Sequence, residues 1–267
     1  MPGTDLSLLV DAALEAGKIA SRYSGKEAKR WEKPDGAGPV TEADLAVNEM
    51  LEDTLPAARP DYGWLSEETE DSTDRLDRSR VFVIDPIDGT RSFAEGSRTW
   101  AHSLAICENG VTTAAVVYLP QRDMLFAAAT GQGATLNGDL ITVTDTANLT
   151  EAQVLAAKPN LNSTHWRGGQ VPDFGRAYRP SLAYRMALVA QGRFNGMLTL
   201  RPSWEWDIAA GDLIIREAGG QCTDRFGAPL RFNNPQPKLS GVVAGGQLLH
   251  TKLSAALNPD SSGIPGH

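Results

Sequence analysis

The apolar run Val81-Phe82-Val83-Ile84 leads straight into Asp85-Pro86-Ile87-Asp88-Gly89-Thr90. Unbroken β-branched and aromatic residues read as a buried strand. That strand ends in two aspartates three positions apart. In a confined site their mutual repulsion needs a proton or a cation, and oxygen-only ligands suit a hard divalent ion such as Mg2+. Pro86 bars an ordinary continuation as a central strand. Asp88-Gly89 taken alone also fits a simple β-turn. Ile87 can offer its carbonyl as a neutral ligand, and Gly89-Thr90 leads into Arg91–Glu95, a helix start whose N–H groups can receive a phosphate.

With 267 residues, 41% of them hydrophobic, the chain can build one large domain or two small ones. Cys107 and Cys222 make no disulfide framework or zinc-finger spacing, so a reducing cytoplasm is expected. The histidines are scattered, with no His-x-x-x-His pair. A formal net charge of −8 argues against a nucleic-acid partner. An acidic protein still binds an anion if bound cations reverse the local sign. There is no basic-then-apolar leader and no stretch long enough to cross a bilayer, so no membrane partner is expected. The partner expected is a small phosphorylated substrate, with the chain a monomer or homodimer.

The apolar spacing predicts a helix over 5–23 that stops at Gly25, and a turn-rich loop over 33–40. A second helix is capped by Thr41, with Asp44 in its first turn, and is stopped by Pro56. Strands follow at 63–66, 80–84, 101–107, 112–118 and 124–129, with a hairpin at Asn109-Gly110. After about residue 150 the pattern alternates. Strand 154–157, helix 181–192, strand 194–200, helix 207–218 closed by Gly219-Gly220, strand 241–244 and a helix to about 257 precede a polar tail that reads as disordered. An N-terminal α+β part, 1–150, and a C-terminal α/β part, 151–267, are expected.

Two further acidic sites stand out. Glu67-Glu68 ends a short apolar stretch, although Glu70 and Asp71 nearby also fit a solvated acidic face. Asp207 lies in Trp204-Glu205-Trp206-Asp207-Ile208-Ala209-Ala210-Gly211, where it also fits a helix N-cap.

Together with Asp85–Phe93, these segments resemble the inositol monophosphatase superfamily of Mg2+-dependent, lithium-sensitive phosphatases. Asp-Pro-Ile-Asp-Gly-Thr-x-x-Phe matches that family's first signature and Trp206–Gly211 its second. Ser66-Glu67-Glu68 resembles its Gly-Glu-Glu element, and Lys33 with Pro39-Val40-Thr41-Glu42-Ala43-Asp44 matches its Lys…Val-Thr-x-x-Asp element. The resemblance implies a layered αβαβα sandwich of the inositol monophosphatase and fructose-1,6-bisphosphatase type, with two or three Mg2+ ions. It assigns Glu67, Asp85 and the Ile87 carbonyl to one ion and Asp85, Asp88 and Asp207 to a second. It makes Thr90, bonded to Asp44, and Glu67 the groups that position the attacking water. It gives Gly89, Thr90, Asp88, Asp207 and Lys33 roles toward the substrate.

Members selective for inositol phosphate carry an acid where this chain has Leu200. Ser181-Leu182-Ala183-Tyr184-Arg185 is more similar to the bacterial CysQ branch, which implies hydrolysis of 3′-phosphoadenosine 5′-phosphate to AMP and phosphate. Ser181, Arg185 and Glu205 become substrate-binding candidates. Arg91, Arg98 and Arg201 are candidates for a second phosphate, and Tyr184, Trp204 and Trp206 for adenine. Individually the arginines also fit solvated surface and the aromatics also fit core. Inositol 1-phosphate, histidinol phosphate and a non-catalytic binding role are the alternatives.

Overall fold

The computed structural model describes residues 2–23, 29–33 and 38–259. The expected helix stop at Gly25, the middle of the 33–40 loop and nearly all of the polar tail lie outside the described residues.

Helix α1 (Pro2–Arg22) is followed by the hairpin strands β1 (Arg30–Glu32) and β2 (Pro39–Thr41), then by α2 (Glu42–Ala58). Thr41 caps α2, and Asp44 completes a reciprocal capping box with it. Pro56 does not stop α2 as expected. The helix runs on to Ala58, and the Arg59 N–H closes it on the Leu55 and Pro56 carbonyls. A proline disturbs the turn before it, and here only Ala57 and Ala58 follow it in the helix.

A seven-stranded sheet follows, in spatial order β3 (Gly63–Ser66), β4 (Arg80–Asp88), β5 (Ala101–Glu108), β6 (Val111–Leu119), β7 (Met124–Ala129), β8 (Ala134–Leu136) and β9 (Asp139–Ile141). Only β3 and β4 pair in parallel. The short helix α3 (Thr90–Ala94) links β4 to β5. The second sheet is built from β10 (Gln153–Ala156), β11 (Gly175–Ala177), β12 (Gly196–Thr199), β14 (Gly220–Thr223) and β16 (Val242–Gly246), in the order β11-β10-β12-β16-β14. Strands β13 (Ser203–Trp204) and β15 (Lys238–Leu239) form a separate pair. The remaining helices are α4 (Leu182–Ala190), α5 (Glu205–Glu217) and α6 (Gln247–Ala256).

Three apolar cores separate five layers. Leu9, Ala13 and Ala16 of α1 and Val47, Leu51 and Leu55 of α2 pack on one face of the large sheet with Phe82, Ile84 and Ile106. Its other face, with Val81, Val83, Ala105 and Val117, meets α4 and α5, which also cover β12 and β16. Trp166, Leu198, Val243 and α6 close the outer side of the second sheet. This is the αβαβα sandwich expected.

One irregularity in β4 positions the site. Val81 and Val83 face α4 and α5, whereas Phe82 and Ile84 face α1 and α2. Strict alternation would send Asp85 and Asp88 to opposite faces. Instead Asp85 pairs with Ser103 and Asp88 with Ala101, so β4 carries one residue more than β5 in this interval. The bulge shifts the phase: Ile87 joins Ile84 on the α1/α2 side, and Asp88 returns to the face of Asp85. Buried His102, opposite the bulge, bonds the Pro86 carbonyl through Nδ1.

Helices α4 and α5 approach closely at Gly211, where an added Cβ would lie 2.5 Å from the Cβ of Met186. Gly211→Ala should therefore destabilise the protein by about 1–3 kcal/mol despite the better helix propensity of alanine. Urea unfolding measures this, and a gain in stability would show that the helix pair has room to spread.

Candidate active site

The sheet register brings the acids together. Ser66 of β3 lies beside Ile84 of β4, and the Glu67 N–H bonds the Ile84 carbonyl at 3.1 Å, so Glu67 emerges next to Asp85. Asp207 arrives from α5. Trp204, not Asp207, is the N-cap, which puts Asp207 third in the helix and leaves its carboxylate free of a capping role. Ser103 Oγ donates to the Trp206 carbonyl at 2.8 Å and ties the start of α5 to the sheet. Glu67, Asp85 and Asp207 each present a carboxylate oxygen within 4.8 Å of the others. Asp85 Oδ1 is buried without a hydrogen-bond partner. Converging hard oxygens, one of them buried and unsatisfied, fit a divalent cation.

Asp88 shares that face but stands outside the converging trio. Its Oδ2 accepts from Ser181 Oγ and from the Ala183 N–H, both at 2.6 Å. Ser181 is fully buried and also caps α4 through the Tyr184 N–H. The expected substrate contact of Ser181 is thus corrected: its hydroxyl is engaged in holding Asp88. Thr90 Oγ1 lies 3.1 Å from Asp44 Oδ1 and 3.1 Å from the Ile87 carbonyl. The second oxygen of Asp44 accepts from the Thr41 N–H and hydroxyl. One capping residue of α2 therefore anchors the threonine of the motif.

Crowding shows in proton affinities. Burial, then the charges of Glu67 and Asp88, push Asp85 well above the carboxylate range. Burial, then Asp88 and Glu67, do the same to Asp207, with Arg201 and Arg185 opposing. Burial carries Asp88 up to about 6 against the bonds from Ser181 and Ala183 and the charge of Arg185. Burial takes Asp44 to about 6 against its Thr41 bonds, and takes Glu68, with help from Glu67, to about 7. Lys33 Nζ contacts Glu67 at 2.8 Å and Glu68 at 2.7 Å. Burial alone would lower the pKa of Lys33, but these two charges raise it. Lys33, expected at the substrate, directs its charge to the acidic cluster.

A cavity of about 780 Å³ is lined among others by Arg91, Tyr178, Arg185, Leu200, Arg201 and Arg225; its link to the cluster is Arg185 and Arg201, whose charges act on Asp207. None of its lining residues is acidic. Arg185 is fixed by the Arg179 and Pro180 carbonyls, with the Tyr178 ring 4.5 Å from its guanidinium carbon. Arg98 instead bonds the Gln121 carbonyl and does not line the cavity. Among the aromatic candidates, Tyr184 is core, and Trp204 and Trp206 stack on each other at 4.6 Å under Lys238. Tyr178 and His165 are the flat side chains lining the cavity; sequence reasoning missed both, and Arg225, because none lies in a motif. Glu205 is a further correction. It is fully buried, and its carboxylate accepts from the Asn233 N–H, the Asn234 N–H and Asn234 Nδ2, which leaves no room for a sugar hydroxyl.

Comparison with known proteins agrees with this architecture. The model of the inositol monophosphatase family matches residues 4–261. An inositol-1-monophosphatase of Mesorhizobium japonicum is 32% identical over 265 residues, covering 94% of this chain and 95% of its own. A histidinol-phosphatase of Mycobacterium tuberculosis is 33% identical over 278 residues, covering 97% of this chain and 99% of its own. The crystal structure of the extragenic suppressor protein SuhB from Bartonella henselae superposes with a TM-score of 0.80 at 30% identity, over 98% of this chain and 100% of that one.

Asp44 and Asp88 ordinarily titrate near 3.8 and Glu68 near 4.5, but in the fold they hold protons to about 6, about 6 and about 7. Between about pH 4 and pH 7 the folded state thus binds more protons than the unfolded state, and these groups make stability fall as pH rises through that window. A divalent ion in the cluster offsets the repulsion once the acids are ionised. Added Mg2+ should therefore raise Tm more near pH 8 than near pH 5 in scanning calorimetry. Equal shifts at both would place the ion elsewhere.

Proposed function

The chain belongs to the inositol monophosphatase family, and from that premise we propose that it is a Mg2+-dependent phosphomonoesterase acting on a substrate with a second anionic group. The best-fitting compound is 3′-phosphoadenosine 5′-phosphate, cleaved to AMP and phosphate. The observation that carries this reading is the arginine-lined, acid-free cavity, linked to the carboxylate cluster through Arg185 and Arg201. Arg185 and Arg201 are close enough to oppose the raised proton affinity of Asp207, so the second anion and the scissile phosphate would occupy neighbouring space.

Glu67, Asp85 and Asp207, with the Ile87 carbonyl and the free oxygen of Asp88, would hold Mg2+. Bound there, Mg2+ supplies charge neutralisation for the phosphate dianion and acidifies a water. Thr90, donating a hydrogen bond to Asp44, keeps its oxygen lone pairs for a water that it would aim together with Glu67. Water aimed in this way would form the new P–O bond as the ester P–O bond breaks, its proton passing to solvent while the departing alkoxide takes one from solvent. The N–H groups at the start of α3, Gly89 and Thr90, have no partner within that helix and suit phosphate oxygens. Gly89, at φ 97°, allows that turn. Tyr178 offers a face for a base. Arg91 and Arg201, both exposed, are suited to the second phosphate.

Inositol 1-phosphate is the second reading, favoured by the name of the Mesorhizobium relative. Its polyol is neutral and gains little from the arginines, and Leu200 gives it no acid to bind a hydroxyl. Histidinol phosphate carries an amine that the arginines repel.

Asp88→Asn keeps an oxygen for Ser181 and Ala183 but loses a charge. It should fold normally and lower kcat by a factor on the order of 10² or more; near-normal turnover would sink the catalytic assignment. The bisphosphate nucleotide should give the higher kcat/KM in a direct comparison with inositol 1-phosphate. Arg201→Ala should narrow that preference by about tenfold. A preference for inositol 1-phosphate overturns the substrate and spares the metal site.

A further inference from the structure

Glu67 and Asp207 belong to different elements, and their separation decides whether one cation can touch both. Glu67 follows β3, an edge strand of the large sheet with only β4 beside it. Asp207 rides on the first turn of α5, whose N-cap makes no side-chain bond. The Glu67 N–H bonds the Ile84 carbonyl of β4 and Ser103 of β5 bonds the Trp206 carbonyl, so through these attachments the two acids are related only by way of the sheet.

A continuous chain of charged hydrogen bonds spans that gap. Asp71, four residues after Glu67, holds Arg75 by two bonds, Nε to Oδ1 at 2.6 Å and Nη2 to Oδ2 at 2.8 Å. Arg75 in turn donates from Nη1 to Asn233 Oδ1 at 2.6 Å and from Nη2 to the Asn234 carbonyl at 2.9 Å. Asn233 Nδ2 returns a bond to the Arg75 carbonyl at 3.1 Å. Asn233 has φ 63°, a left-handed conformation that asparagine tolerates. The N–H groups of Asn233 and Asn234 converge on Glu205, at 2.6 and 2.9 Å, and Asn234 Nδ2 joins them at 2.6 Å. Glu205 is two residues before Asp207. Arg75 is 2% exposed and Glu205 0%, so both charges depend on these partners. Loss of one partner in such a network leaves a buried charge uncompensated.

We propose that Asp71, Arg75, Asn233, Asn234 and Glu205 form a strut that fixes the spacing of Glu67 and Asp207, and that Arg75 and Glu205 are positioning residues for the metal centre. This rests on reading the acidic cluster as that centre. The strut sets metal affinity without touching metal or substrate.

The test uses the full chain and its Arg75→Met, Arg75→Lys and Glu205→Gln variants. Mn2+ binding is measured by titration calorimetry, alongside the Mg2+ dependence of activity and Tm. Arg75→Met and Glu205→Gln should weaken Mn2+ binding about 10- to 100-fold. Arg75→Lys, which keeps the charge, should fall between them and wild type, and kcat at saturating Mg2+ should drop less than affinity. Mn2+ affinity within about twofold of wild type overturns the strut, even with a lowered Tm, since a merely structural role predicts that pattern. If Arg75→Met does not fold, Asn234→Ala carries the same test, because it removes side-chain bonds and keeps the backbone donors to Glu205. A wild-type chain that binds no Mn2+ overturns the strut and the metal reading together. Binding that is unaltered across the variants overturns the strut alone.

Discussion

Carboxylates held at close range repel, and everything near Asp85 in this protein is arranged around that repulsion. Glu67, Asp85 and Asp207 converge within 4.8 Å, with Asp88 on the same face. In water such a group would spread apart. Here each member is tied to a different rigid element: an edge strand, a bulged central strand and the start of a helix. The fold opposes the repulsion with Lys33, the N-terminal end of α4 and raised proton affinities. A divalent cation would offset it more completely than any of these.

The bulge between Asp85 and Asp88 is the geometric condition for this arrangement. Without the extra residue in β4, Asp88 would point into the apolar layer of α1 and α2, where an ion is costly. The same shift drops Ile87 into that layer and leaves its carbonyl beside Thr90. A single irregularity thus turns a buried strand into the floor of a site. The cavity has the opposite sign, lined by arginines and by no acid.

Much of this was legible in the chain. The apolar run ending in acids pointed to a strand at the mouth of a site, and the structure places β4 there. Thr41 was readable as a cap because capping is local chemistry, and Asp44 came with it. Ser181 and Glu205 were misread for a common reason. Both look like polar residues available to a ligand, yet both are fully buried against partners distant in sequence, Asp88 for one and Asn233-Asn234 for the other. Trp204 and Trp206 had the composition of a base-stacking surface but stack on each other. Pro56 was read as a stop because its position relative to the end of α2 is not marked in the sequence.

By itself the sequence determined which chemistry is available: hard oxygen ligands in motifs short enough for local spacing to matter, and an acidic chain that needs a cation to meet an anion. Its element pattern pointed to an α+β part joined to an α/β part, and the layered sandwich followed from the resemblance its motifs carry. Only the tertiary structure decided which acids meet, that Asp88 is braced by α4, that Arg75 and Glu205 join through a loop, and which arginines face the cavity. The physical reason is range. Periodicity, capping and turn chemistry act over a few residues and can be read along the chain. The pairing of Glu67 with Asp85 is set by sheet register, and that of both with Asp207 by the docking of α5 on the sheet, which long-range packing alone fixes.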